Sequence, residues 1–142
     1  TGDPDNRSVV LQPSVGFENT NFTETYRDIE CTVYIIGKSV LSSDEYKILN
    51  KQDFTVTIPP RESVRWESKP FNNLYDDYAK NGSAFGYKYD DYLLVLRNRS
   101  GEPVLVYSAR KHFEKVAENI FKASLSKSYD EDFEKEVPES RV

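Results

Sequence analysis

Gly86-Tyr87-Lys88-Tyr89-Asp90-Asp91-Tyr92-Leu93-Leu94-Val95-Leu96-Arg97-Asn98-Arg99-Ser100-Gly101-Glu102-Pro103-Val104-Leu105-Val106-Tyr107-Ser108, together with the amphipathic stretch to Phe121, decides the fold. In Tyr87–Arg97, Tyr92, Leu94 and Leu96 share one face of a strand while Leu93 and Val95 share the other. Apolar residues on both faces mark a strand covered on both sides. Asn98 to Gly101 is a turn, with Gly101 supplying a positive φ. Pro103 to Tyr107 then returns antiparallel, and Val104, Leu105 and Val106 are expected in the same core. Ser108 suits the N-cap of the helix that follows. There Phe113, Val116, Ala117, Ile120 and Phe121 form an apolar stripe at helical spacing, opposite Lys111, Lys115, Glu118 and Lys122.

Upstream, Ile29, Cys31, Val33 and Ile35 alternate with Asp28, Glu30, Thr32 and Tyr34, so Tyr26 to Gly37 reads as a strong strand. Cys31 lies on its core face and reads as a small buried hydrophobe rather than a reactive thiol. Phe54, Val56 and Ile58 alternate with Thr55 and Thr57, and Pro59-Pro60 ends that pairing. Val64 and Trp66 face inward on the next strand. Ser8 to Leu11 can form an edge strand. Phe17 to Thr25 and Pro70 to Ser83 read as loops, while Ser42 to Leu49 stays ambiguous between helix and strand. Ser128-Tyr129-Asp130-Glu131 matches a capping box and predicts a short helix before Pro138. These elements define an all-β class: an immunoglobulin-like β-sandwich with a C-terminal α-helix packed on it. The expected division is a linker and edge strand over 1–25, the sandwich plus helix over 26–128, and an acidic tail over 129–142.

The 142 residues suit one domain with a core of its own. The tail from residue 130 holds six acids against two bases, which accounts for most of the formal charge of −5. The remaining body is nearly neutral and has no basic stripe, so nucleic acid is not an expected partner. One cysteine excludes an intrachain disulfide. No segment is apolar enough to span a bilayer. The absence of methionine and the polar start from Thr1 to Arg7 point to a chain that follows a removed leader or anchor, hence to an exported protein. Four Asn-x-Ser/Thr triplets begin at Asn6, Asn21, Asn81 and Asn98. They suit glycosylation of a secreted protein, and equally suit turns, where Asn and Ser are both favoured.

The only internal echo is Tyr75-Asp76-Asp77-Tyr78 against Tyr89-Asp90-Asp91-Tyr92, too short for a repeat architecture. Asp76, Asp77, Asp90 and Asp91 are hard oxygen donors of the kind that bind calcium, or that act as acid and base on a sugar. No EF-hand loop frames them and nothing fixes their carboxyl separation, so capping loops and starting strands is the favoured reading. Tyr75, Tyr78, Tyr87 and Tyr89 beside them suit glycan stacking, a protein interface, or plain cross-strand pairing. His112 is the single histidine, without a nucleophile near it in sequence, and a zinc site built from several His or Cys is excluded by count. No Gly-rich phosphate loop is present. No catalytic residue, cofactor or metal is therefore expected.

Three segments carry a family resemblance: Val33-Tyr34-Ile35-Ile36-Gly37-Lys38, then Ile58-Pro59-Pro60-Arg61-Glu62-Ser63-Val64, then Gly86-Tyr87-Lys88-Tyr89-Asp90 running into Leu93-Leu94-Val95-Leu96-Arg97. With the closing strand-to-helix step, Tyr26 to Phe121 resembles small exported Verrucomicrobia-type proteins of immunoglobulin-like fold, in the outer-membrane branch associated with type IV pili. The resemblance implies a structural or interaction role in the cell envelope beside pilus or secretion machinery, and no enzymatic activity. It implies protein partners and carries over no catalytic residues. A homo-oligomer formed through an edge strand or the acidic tail fits the same reading. A glycan- or calcium-binding module using the Tyr/Asp loops is the alternative from a different class. A hydrolase is disfavoured because the chain shows no nucleophile–base pair.

Overall fold

A computed structural model describes residues 7–75 and 84–139. These residues form β1 (Arg7–Leu11), β2 (Ser14–Glu18), β3 (Tyr26–Ser39), β4 (Tyr46–Ile58), β5 (Ser63–Glu67), β6 (Phe71–Tyr75), β7 (Tyr87–Arg97) and β8 (Pro103–Tyr107). Helices α1 (Lys111–Lys115) and α2 (Ala117–Lys122) follow, then β9 (Ser128–Tyr129) and β10 (Glu136–Val137). The protein is mostly β. A six-stranded antiparallel sheet has the order β10-β9-β4-β3-β7-β8. A second layer is the antiparallel ribbon in which β1 pairs with β6 and β2 with β5.

β3 is the axis of the sheet, since the seven residues Cys31–Gly37 are buried without interruption. Its even-numbered side chains Tyr34 and Ile36 face Ile48, Leu93 and Val95, and Phe113, Ile120 and Phe133 close that face from the helices and the β9–β10 turn. On the other face Cys31, Val33 and Ile35 join Val56, Ile58 and Leu94, covered by Val15, Phe17, Val64 and Trp66 of the ribbon. Trp66 stacks on Phe54 with centroids 3.7 Å apart, and Phe17 meets Phe54 edge-on at 6.2 Å. Such ring pairs add to the area they bury. Register shifts at Ile35/Ile36 against β4 and at Ile36/Gly37 against β7 interrupt the ladders at mid-strand, where β-bulges bend a strand.

β7 and β8 fall where the alternation places them, and Gly101 takes φ +82 in the turn between them. Gly86 has φ +88, and a Cβ there would sit 3.0 Å from the carbonyl oxygen of Leu74. Glycine is therefore required where β6 crosses the entrance to β7.

Several expectations are corrected. β2 runs on to Glu18 inside the segment read as a loop from Phe17, Phe71–Tyr75 is a strand within the loop read over Pro70 to Ser83, and the ambiguous 42–49 stretch holds the start of β4. The single helix is two short ones, broken at Val116 with φ −103 and ψ 17, although Phe113, Ala117 and Ile120 still point inward. Arg110, not Ser108, is the N-cap, and the Ser108 hydroxyl turns instead to the Arg110 carbonyl. Only Val106 of β8 packs on the core, while Val104 and Leu105 are 55% and 48% exposed.

Where a helix is expected in the acidic 129–142 segment, residues 128–137 make a small hairpin paired to β4. Phe133 explains the difference. Its ring is buried against Tyr46, Phe113 and Tyr129, which a φ of +53 at that residue permits. Burial of one large ring outweighs the local preference for a capped helical turn. Phe113 is fully buried at the centre of this aromatic cluster. Phe113→Ala is expected to lower stability by about 3–5 kcal/mol, read by urea denaturation with an unchanged m-value.

Candidate functional site

Of the expected Tyr/Asp surface, Tyr75, Tyr87, Tyr89, Asp90 and Asp91 lie among the described residues. Asp76, Asp77 and Tyr78 lie outside the described residues. Tyr75 and Tyr87 are buried, at 7% and 5% exposure. Asn73 reaches across to donate to the Tyr87 carbonyl at 2.8 Å. The Tyr87 hydroxyl donates to the Glu45 carboxylate, itself buried, and the buried Ser128 hydroxyl completes the group. Since the phenol proton goes to Glu45, Ser128 is the donor in the second bond. Burial, and then the Glu45 carboxylate, hold the Tyr87 phenol well above the usual tyrosine range. This network ties the β3–β4 loop, β7 and β9 together.

Asp91 is a structural carboxylate. Fully buried, it accepts N–H groups from Tyr92 at 2.7 Å, Ala109 at 3.0 Å and Arg110 at 3.0 Å, with the Arg110 guanidinium 3.7 Å away. Its two oxygens satisfy the amides of Ala109 and Arg110, the residues that lead from β8 into α1. Asp90 beside it pairs with the Arg110 guanidinium at the surface. Both carboxylates are thus engaged within the fold.

Of the candidate surface, Tyr89 alone among the described tyrosines is substantially exposed, at 45%. It lines a groove of about 990 Å³ that lies between β2 and the β7–β8 half of the main sheet. The groove exists because the ribbon is two strands wide and lies over β3 and β4, leaving the far half of that face uncovered. Its floor is Leu94, Leu96, Leu105 and Tyr107, and its opposite wall is the β2 segment around Val15 and Phe17. Burial raises the Tyr89 phenol above its ordinary value, with Asp91 adding to the effect, so it stays neutral at physiological pH. Strands β2 and β8 flank the groove, and each pairs on one side alone among the described residues.

Sequence reading missed the wall of this groove. The alternation of Val15 and Phe17 with Ser14, Gly16 and Glu18 is a period-two signal, but Pro13 and the Asn-rich stretch after Glu18 obscure it. Asn21 and Asn98 serve as turn formers. The Asn21 side chain accepts from the Thr23 and Glu24 amides, and that of Asn98 from the Ser100 and Glu102 amides.

Comparison with family models, curated proteins and solved structures finds no match to this chain.

Two predictions follow from the site's chemistry. Asp91→Ala is expected to cost about 3 kcal/mol, because it strands the amides that its buried carboxylate satisfies. Asp90→Ala, at the surface, is expected to cost less than about 1 kcal/mol. Thermal melting of both variants tests this; equal losses would return the two aspartates to a common role. The second prediction concerns alkaline pH. Burial pushes the Cys31 thiol up to about 11 from 9.0, and the Tyr87 phenol is raised as well. The folded state therefore holds protons that the unfolded chain releases, and stability falls as pH rises. The Cys31 contribution is complete below pH 9.0 and is lost as pH approaches about 11. Denaturation midpoints across that range should decline steadily, and Cys31 should resist alkylation until the chain unfolds.

Proposed function

We propose that the protein is a non-enzymatic, exported cell-envelope module that holds a protein partner in the groove between β2 and β8, beside type IV pilus or secretion machinery. The finer architectural reading, an immunoglobulin-like sandwich, belongs to this proposal; it rests on two layers packed face to face around Trp66 and Phe54. The observation that carries the functional reading is the uncovered half-face. Leu105 and Tyr107 are each 48% exposed on an edge strand that carries no charged residue from Pro103 to Tyr107. Edge strands in stable monomers are usually blunted by charges, prolines or bulges; Pro103 and the register shift beside it blunt the start of β8, and an extended segment can add to the uncharged remainder. A second copy of the chain pairing through β8 is one form of such a partner.

No helix among the described residues is long and apolar enough to cross a membrane. Envelope attachment would then come from partners or from segments beyond the described ones. The non-enzymatic reading is supported by the internal engagement of Glu45, Asp90 and Asp91 in hydrogen bonds and ion pairs of the fold itself.

A glycan-binding reading is favoured by one observation: Tyr26, Tyr89, Tyr92 and Tyr107 all line the same groove, where sugar rings stack on aromatic faces. Calcium coordination by the Tyr/Asp loops remains the other branch of that alternative.

A photo-crosslinking side chain at position 105, expressed in native cells, tests the proposal against one at position 122 on the helical side of the sheet. The expected result is a discrete protein adduct from position 105 and none from 122. Adducts of equal yield from both positions, or none from 105, would count against a groove-bound partner. A glycan-array signal that Tyr89→Ala abolishes would move the assignment to the second reading.

A further inference from the structure

The β9–β10 turn brings two carboxylates to the single histidine of the chain. His112 Nε2 lies 3.1 Å from Asp132 Oδ1 and 3.8 Å from Glu131 Oε1. The three ligand atoms fall within 4.8 Å of one another. From these distances we propose that His112, Glu131 and Asp132 form a binding site for a divalent transition metal, zinc in the first instance.

Zinc takes imidazole nitrogen and carboxylate oxygen at about 2.0–2.2 Å, so neighbouring ligand atoms of a tetrahedral site stand about 3.3 Å apart. The observed 3.1 and 3.8 Å from the histidine bracket that edge, while the two carboxylates, within 4.8 Å of each other, must rotate toward one another to close the site. Calcium and magnesium prefer all-oxygen shells, so an imidazole in the set favours zinc over them.

The surroundings hold these ligands in place. Tyr46 donates its hydroxyl to the other Glu131 oxygen at 3.4 Å, leaving Oε1 toward the histidine. The Glu131 amide donates to Asp44 at 2.9 Å, and the Asp132 carbonyl accepts from the Asn119 side chain at 3.0 Å. Phe133, the next residue, is anchored in the core. The turn is thus fixed at the β3–β4 loop, at α2 and in the aromatic cluster before any metal arrives. Outer contacts of this kind orient ligands in metal sites. In the structure the His112 Nε2 also stands 3.1 Å from the Glu131 carbonyl. Metal binding would replace that contact, with the ring proton carried on Nδ1. Composition did not signal the site, because it draws on one histidine and two acids 19 and 20 positions further along the chain.

The test is calorimetric titration of the untagged full chain with zinc chloride in a non-chelating buffer, with proton NMR of the imidazole. His112 is the only histidine, so its ring signals are unambiguous. The expected result is one saturable site, a shift of the His112 ring signals on zinc addition, and at least about a tenfold loss of affinity in His112→Gln. Asp132→Asn lies on an exposed side chain and should lose affinity similarly while melting like the parent without zinc. An absence of saturable binding would overturn the site, as would unshifted His112 signals or unchanged affinity in Asp132→Asn. Calcium binding at the same position with equal affinity would overturn its assignment to a transition metal.

Discussion

The structure depends on the double burial of β3. Seven consecutive residues from Cys31 to Gly37 have no exposed face, so the sheet containing them needs cover on both sides. The helices and the β9–β10 hairpin supply one cover, centred on Phe113, Ile120 and Phe133. The β1-β2/β5-β6 ribbon supplies the other, centred on Trp66 and Phe17. The first cover reaches across to Val95 and Val106. The second is two strands wide and stops short of β8. The groove is what that mismatch leaves behind, and its apolar floor continues the core surface without a lid.

The buried polar groups are committed to joining the elements of the fold. Asp91 holds the amides that turn the chain from β8 into α1, and Glu45, Tyr87 and Ser128 lock the β3–β4 loop to β7 and β9. No buried side-chain nitrogen or oxygen among the described residues lacks a hydrogen-bond partner. Fully satisfied buried networks rigidify their surroundings.

The strands with strict alternation were legible in the sequence, β7 and β8 to the residue, because period-two burial leaves a local mark. The class of fold followed from them. The apolar stripe Phe113–Phe121 also signalled burial correctly, but not the break at Val116. What local pattern concealed is long-range pairing. β6 and the first half of β4 carry polar residues such as Asn72, Asn73 and Lys47; β6 pairs with the distant β1, and the start of β4 with the distant β9 as well as with its hairpin neighbour β3. The capping box at Ser128 was a valid local signal overruled by the burial of Phe133. The Tyr/Asp echo was legible as composition, but composition does not tell which way each side chain points: adjacent residues on a strand face opposite ways, Asp91 inward and Asp90 outward. The groove and the His112 cluster exist only once residues distant in sequence are brought together.

The central claim is that the groove floor is kept apolar for contact rather than for folding. Leu105→Lys separates the two roles, because Leu105 is 48% exposed and lies on an edge strand. The measurement is the unfolding free energy of this variant alongside the recovery of its complex from native envelopes. The account predicts a stability within about 0.5 kcal/mol of the parent, as for surface positions generally, and loss of the complex. A clear loss of stability with the complex retained would contradict it.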